Sequence, residues 1–594
     1  MATYKAPLRD MRFIYHEFLA DQHLEDMPGM EDVPPELVDA VLEEMAKVAE
    51  NILFPLNRSG DEEGCRLENG EVHTPRGFKD AYQRYREGGW PGLTSRPEYG
   101  GQGLPETVYV LTSEMMSASN LSFAIYTKLT HGAYQLLLKT ASEEIKNLYL
   151  PNMVEGRWTG TMCLTEPQCG TDLGLLRTKA VPQPDGTYRL TGNKIFISGG
   201  EQDLSENIIQ MVLARAPDAP PGVKGISLFL VPKFLVNPDG SLGPRNRIFC
   251  TAIEHKMGIK GSSTCSLSLE DATGYLIGDL HKGLRAMFVM MNSARLEVGL
   301  QGLGLGEVAY QNAAAYAKER LQGRALTGPK NPEKPADPLI VHPDVRRMLL
   351  TMRAYTEGMR AMSAWVGAQL DKENRHPDPG IRQQAEDFVA LLTPVVKAFF
   401  TDLGFETANL AMQVYGGHGY IREHGIEQFV RDARIAQIYE GANGIQALDL
   451  VGRKLPAHAG RYLRSFFHPV QRYLDERAGQ AQLAFVTEPL AKAFSRLQRA
   501  TAFIAERSLA DPNEAGAAAY DYLHLFGLTT MAYCWARMAE IAQEKIKDDT
   551  TGFYQAKLDT ARFFMERILP RTSGLFSAIL SGSGSIMDFK DEAF

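Results

Sequence analysis

Glu440, beside Tyr439, sits at a helix–loop–helix corner. The run RDARIAQIYE reads as a helix ending at Gly441, Ala442-Asn443-Gly444 is a tight connection, and a helix resumes at Ile445. A carboxylate at such a helix–loop–helix corner is either a solvated surface charge, the commoner case, or a base projected into a cleft. Upstream, Gly416-Gly417 breaks a helix and permits close backbone approach to a ligand. A second string, MCLTEPQCGTDLG (162–174), mixes hydroxyls, a proline turn and glycine, where backbone N–H groups can face a ligand; its bland reading is a strand followed by a polar turn. A third, GLQGLGLGE (299–307), has the glycines of a dinucleotide fingerprint. A Rossmann turn needs a strand before those glycines, and the preceding LRAMFVMMNSARLEV is helical. Close helix packing through small residues is the expectation there, and a nicotinamide site lacks its context.

The elements that must position these strings follow from periodicity. Leu37, Val38, Val41, Leu42, Met45 and Val48 recur at helical spacing, and helical text continues to Val154 on both sides of the glycine-rich break Tyr99–Gly103. From Trp158 to Gly278 the texture changes to short apolar runs, TYRLTGNKIFISGG, NIIQMVLARA and GISLFLVP, bounded by turn residues, with Asp185-Gly186 as a hairpin signal. Helical periodicity returns from Leu284 to Leu455, interrupted by the proline-rich 328–343. A second helical set follows, with Leu490, Phe494, Leu497 and Ile504 on one apolar stripe. The expected fold is mainly α with a central β domain, a barrel or sandwich. The segments are an extension at 1–35, a helical domain at 36–157, the β domain at 158–280, a helical bundle carrying Glu440 at 281–455, and additional helices at 456–594.

Composition narrows the function classes. The chain has 594 residues, 44% hydrophobic and 23% charged, an ordinary globular composition. Lys+Arg 63 against Asp+Glu 72 gives a net charge of −9 without a block of like charge, so nucleic-acid binding has no electrostatic support. The six cysteines form no C-x-x-C pair and no histidines gather beside them, so no metal site is expected and the thiols read as buried in a reducing compartment. MATYKAPLRDMRF lacks a signal-peptide run and no uninterrupted apolar stretch reaches a membrane span, so the cytoplasm is the expected location.

The helix–β–helix order, together with PEYGGQGL, CLTEPQCGTD, KMGIKGSSTC and RDARIAQIYEG in this order and spacing, resembles the acyl-CoA dehydrogenase family over about residues 36–455. The further C-terminal helices resemble its long bacterial subfamily, which includes 3-methylthiopropanoyl-CoA and fatty acyl-CoA dehydrogenases. The resemblance implies FAD and an acyl-CoA thioester. A base removes the acidified α proton, and the β hydrogen leaves as hydride to the flavin. It implies that Glu440 is the base and that its backbone N–H helps hold the thioester oxygen. Some relatives place the base just before an arginine matched here by Arg295; that preceding residue is Ala294, so the alternative position is vacant.

The flavin contacts carry over in the same way. Thr165 matches a hydroxyl on the isoalloxazine, and Met162 and Leu164 match neighbours whose backbones line the ring. Phe196 and Ser198 match an aromatic packed on the flavin and a hydroxyl bonded to it, where the family usually has Trp and Thr. Arg320 matches an arginine reaching the FAD pyrophosphate of a neighbouring subunit, and Gln413 and Gly417 match adenosine-side contacts. Thr171, Arg295, Tyr439 and Gly441 are expected on the acyl-CoA side. Two departures stand out. Ala442 and Gly444 occupy places where the family often has Thr or Ser and Gln to hold FAD, and RLQGR lacks the common Phe-Gly step near Arg320. The implied reaction yields trans-2-enoyl-CoA from a medium- or long-chain fatty acyl-CoA, with an electron-transfer flavoprotein as acceptor and a homodimer as the assembly. The alternatives are a 3-methylthiopropanoyl-CoA dehydrogenase, an oxidase using oxygen, and a non-enzymatic acyl-CoA-binding protein.

Overall fold

The computed structural model describes residues 2–594, which pack into two units. One comprises 47–104 and 119–297; the other comprises the first 46 residues, 105–118 and 298–594. Segments far apart in the sequence therefore share a unit.

The first unit holds the β domain. Its seven-stranded sheet runs in the order Ile248–Ile253, Thr264–Ile277, Tyr188–Ser198, Lys179–Pro182, Asn207–Arg215, Trp158–Cys163. The strand Ile226–Pro232 pairs with both Asn207–Arg215 and Thr264–Ile277, which closes five strands into a barrel. Both faces are apolar because both are covered. Along Asn207–Arg215, Val212 and Ala214 enter the barrel core with Phe229 and Leu190. Ile209, Met211 and Leu213 face the other core, with Tyr149, Leu150 and Trp158. The helix Leu121–Thr140 packs on the strand Trp158–Cys163 at Gly160, where a Cβ would lie 2.4 Å from that of Ala133. A small hairpin, Arg66–Glu68 with Glu71–His73, turns on Asn69-Gly70, both with positive φ, an Asn-Gly signal not read from the sequence.

The second unit is helical. Its frame is the 37-residue helix Gly283–Glu319 (from Val298 onward), Pro343–Arg375 and the 37-residue Pro379–Tyr415. The glycines of 299–307 act as expected of packing residues. A Cβ at Gly302 would lie 2.4 Å from the Phe400 carbonyl oxygen, and one at Gly404 would lie 2.4 Å from that of Gly302. Pro379–Tyr415, read on to Tyr420, is long and apolar enough to cross a membrane, and 78% of its most apolar window is buried inside the protein. The C-terminal helices Ala484–Arg507 and Pro512–Lys545 pack together through the predicted stripe, with Leu490, Phe494, Leu497 and Ile504 all buried.

A buried charge cluster ties the N-terminal extension and the C-terminal helices into this unit. Arg360 grips Glu114 (Nε–Oε2 2.9 Å), Glu307 (2.8 Å) and Asp10. Lys557 bonds Glu357 (2.7 Å) and also pairs with Asp10, while Arg353 pairs with Glu357 (2.7 Å). Four carboxylates meet three cations. Burial and the neighbouring carboxylates push Glu114 up to about 7 despite Arg360. The six cysteines are free thiols, five of them buried.

Candidate active site

In the first unit the strings CLTEP and KIFIS lie side by side. The Ile195 N–H donates to the Thr165 carbonyl (3.0 Å), and the Thr161 hydroxyl donates to the Ser198 carbonyl (2.7 Å). Met162 is buried in the core, while Leu164, Thr165 and Ser198 are half-buried. Phe196 is 59% exposed with φ 58°. The ladder explains this: Ile197 pairs with Cys265 but Lys194 pairs with Leu267, so one extra residue is inserted and Phe196 sits in a β-bulge. Among the described residues, the Phe196 ring and the Thr165 and Ser198 hydroxyls have no protein partner. The result is an exposed aromatic face flanked by two idle hydroxyls.

Glu166, the acid of CLTEP, is what fixes this surface. It accepts from the Arg177 N–H (2.7 Å), the Thr178 N–H (3.0 Å), the Thr178 hydroxyl (2.5 Å), Gln168 Nε2 (2.7 Å) and Lys194 Nζ (2.8 Å). Lys194, wholly buried, also donates to the Leu164 carbonyl (3.1 Å). Burial pulls the Glu166 carboxyl upward, but Lys194 and these hydrogen bonds outweigh it and hold it at about 2. Sequence reading missed this pair; a Glu in one motif and a Lys in the next were the available signal.

Of the other candidates in this unit, Thr171 is exposed on the loop after Cys169, two residues before the short helix Leu173–Leu175 that Asp172 caps. Arg295 is buried on the Gly283–Glu319 helix, with Nη1 3.4 Å from Asn292 Oδ1 and its guanidinium 5.8 Å from the Phe288 ring centre. Ala294 beside it is partly buried against the apolar core.

In the second unit the candidates form two groups. Tyr316 stacks on Tyr415 (4.0 Å) and its hydroxyl meets His418 Nδ1 (2.8 Å), which joins the ends of two long helices. Arg320, Gln413 and Gly417 all lie exposed at this end, and the Arg320 guanidinium has no partner among the described residues. Pro379–Tyr415 stops at Gly416, φ 59°, as the Gly-Gly signal requires.

The other group is the Glu440 loop. The helix expected to run to Gly441 ends earlier: Ile426–Arg434 tightens into a 3-10 turn at Ile435–Gln437, and the next helix starts at Asn443 rather than Ile445. Glu440 has φ 56° and Gly441 φ 87°, two successive left-handed residues. A non-glycine residue there costs about 1–2 kcal/mol, so the surroundings must impose it. Gln446 Nε2 donates to the carbonyls of Glu440 (3.4 Å) and Gly441 (3.3 Å). Tyr439, expected on the substrate side, has its hydroxyl committed to Gln301 Oε1, so it anchors the loop through the glycine-rich helix. A cleft of about 1050 Å³ in the same unit, lined by Trp365, Lys372, Arg472 and Tyr533, includes none of the candidate residues.

Family models match the chain in order: "Acyl-CoA dehydrogenase, N-terminal domain" at 38–157, "middle domain" at 161–272, "C-terminal domain" at 281–455, and "Acetyl-CoA dehydrogenase C-terminal like" at 466–590. The chain is 42% identical over 593 residues to 3-methylmercaptopropionyl-CoA dehydrogenase of Ruegeria pomeroyi, covering 98% of this chain and 99% of that one. The chain belongs to the acyl-CoA dehydrogenase family. It is also 32% identical over 613 residues to the broad-specificity linear acyl-CoA dehydrogenase of Mycobacterium tuberculosis, covering all of both chains. Its fold is that of the FAD-complexed acyl-CoA dehydrogenase of Bacillus anthracis, with TM-score 0.76, 21% identity, and coverage of 94% and 90% of the two chains.

As an acyl-CoA dehydrogenase, the chain uses FAD. The residues present fit a flavin. The bulged Phe196 ring offers a flat apolar face, and Thr165 and Ser198 offer hydrogen-bonding groups that no protein atom uses. Ala442 and Gly444 bring no polar side chain to that task, whereas the Glu440 loop is braced by Gln301, Gln446 and its own ends.

Proposed function

We propose that this acyl-CoA dehydrogenase forms a trans-2-enoyl-CoA with Glu440 as its base. FAD, when bound, accepts the hydride from the β carbon. Glu440 takes the α proton, the Glu440 N–H holds the thioester oxygen as negative charge develops, and the α,β double bond forms. The observation that carries this reading is the left-handed Glu440–Gly441 turn, which holds a glutamate in a backbone conformation that costs about 1–2 kcal/mol.

For the substrate, the 42% relative spanning essentially the whole chain supports a 3-methylthiopropanoyl group, and the broad-specificity linear relative supports straight-chain acyl groups. Thioether and methylene differ little in size and polarity, so one pocket accepts both. Transfer of electrons to an electron-transfer flavoprotein, a homodimer and a cytoplasmic location complete the proposal. The exposed Arg320, whose guanidinium has no partner among the described residues, supports the dimer.

The test is anaerobic titration of the yellow enzyme with acyl-CoA thioesters from short to long, including 3-methylthiopropanoyl-CoA. Bleaching by wild type but not by Glu440→Gln upholds the assignment, and the fastest substrate names the acyl group. A yellow protein that no thioester bleaches rejects the substrate class. Rapid oxygen uptake on adding substrate identifies an oxidase instead.

A further inference from the structure

Asp402, near the middle of the helix Pro379–Tyr415, accepts four hydrogen bonds, and they divide by oxygen. Oδ1 receives Gln437 Nε2 (2.6 Å) and Asn443 Nδ2 (2.7 Å). Oδ2 receives the Tyr520 hydroxyl (2.6 Å) and His524 Nε2 (2.8 Å). Gln437 lies three residues before Glu440 and Asn443 three residues after it. Tyr520 and His524 lie one turn apart on Pro512–Lys545, a helix of the C-terminal extension, with ring centres 4.7 Å apart. All the acceptor positions of the carboxylate are in use. The orientation of Asn443 is fixed as well, because its Oδ1 takes the wholly buried Lys397 Nζ (2.8 Å), a group that only donates.

We propose that Asp402 is a positioning residue through which Tyr520 and His524 of the C-terminal extension hold the loop that presents Glu440. This deepens the proposed function and rests on its reading of Glu440 as the base. The geometry explains how a glutamate stays in a left-handed turn. Both ends of the loop are pinned to one oxygen atom, and the other oxygen of the same rigid carboxylate is pinned to a helix outside the core family fold. A base displaced by about 1 Å loses on the order of 10²-fold in rate, so a brace of this kind acts on the chemical step rather than on affinity.

The test uses full-length, FAD-loaded enzyme carrying Tyr520→Phe, His524→Phe or His524→Gln. Flavin content, acyl-CoA KM and the rate constant of anaerobic flavin bleaching are measured for each. We expect His524→Phe to slow bleaching about tenfold or more, with flavin content and KM within about twofold of wild type. His524→Gln, which restores an N–H donor to Asp402, recovers most of that loss. Tyr520→Phe, which removes one oxygen atom, slows bleaching about threefold and carries the test if His524→Phe does not fold. Bleaching within twofold of wild type in the loaded variants overturns the proposal. So does a His524→Gln enzyme as slow as His524→Phe, which would mark the ring as packing alone. A Glu440→Gln enzyme that bleaches as fast as wild type breaks the assignment of Glu440 itself, an outcome distinct from Tyr520 and His524 variants that bleach at the wild-type rate.

Discussion

Phe196 in the first unit and Glu440 in the second both occupy left-handed backbone, at φ 58° and φ 56°, yet they are held by different physics. Phe196 is held by a ladder. Its strand pairs with Thr264–Ile277 on both sides of the bulge, so main-chain hydrogen bonds impose the turn whatever the side chain. Glu440 has no ladder. Its turn is imposed by side chains, Gln446 on its carbonyl and Gln437 and Asn443 on Asp402. A sheet therefore holds an exposed ring in a way that tolerates substitution nearby. A helix–loop–helix corner holds the proposed base through several polar side chains, each of which a single mutation removes.

That difference can be broken at several points. The largest effect belongs to Glu440→Gln, which keeps the turn and its braces but removes the base. Bleaching by substrate falls about 10²–10⁴-fold with flavin content unchanged, as stopped-flow absorbance would show. Next is Lys194→Met in the first unit. It leaves Glu166 buried beside two motif strings without its cation, at a cost of about 3–5 kcal/mol, read as a lower melting temperature together with weaker FAD retention. In the second unit, Gly302→Val drives a side chain into the Phe400 backbone, where a Cβ has only 2.4 Å. Overpacking of this kind costs about 1–3 kcal/mol or more by denaturant titration. Smaller still, Phe196→Gly relieves a left-handed residue and raises the stability of the flavin-free protein by about 1 kcal/mol, while flavin dissociates faster because the exposed ring is gone.

pH sharpens the contrast in opposite senses. Glu166 is held below its ordinary 4.5, at about 2, so its contribution is present above pH 4.5 and is lost as pH falls toward 2. Glu114 is pushed up to about 7, so its contribution is full below pH 4.5 and is lost as pH rises through 7. Between pH 5 and 8, hydrogen exchange is expected to loosen the helices around Arg360 in the second unit while the strands around Lys194 stay protected. Equal loosening of both would contradict the assignment of these two carboxylates.

Much of the site was legible because it is written in short strings. CLTEP and KIFIS marked two strings that the fold brings side by side, Gly416-Gly417 stopped a helix, and the corner at Glu440 followed from a helix ending and another starting. Even the glycines of 299–307 were readable as packing residues once helical text was seen before them. The reading slipped at the loop itself. Periodicity cannot see the 3-10 turn at Ile435–Gln437, because that turn depends on what holds the helix end and not on which face is apolar. The anchor of Tyr439 was invisible for the same reason, since its partner Gln301 lies 138 residues away.

By itself, then, the sequence determined the elements and the family and singled out Glu440 as the candidate base, all of which rest on residue types at short spacing that repel or admit helix, strand and turn locally. Only the tertiary structure decided what holds them. Asp402 meets His524 across 122 residues, Glu166 meets Lys194 across 28, and Arg360 meets Asp10 across 350. A buried polar group must find a partner, but the free energy that demands one says nothing about where in the chain it lies; packing alone makes that choice.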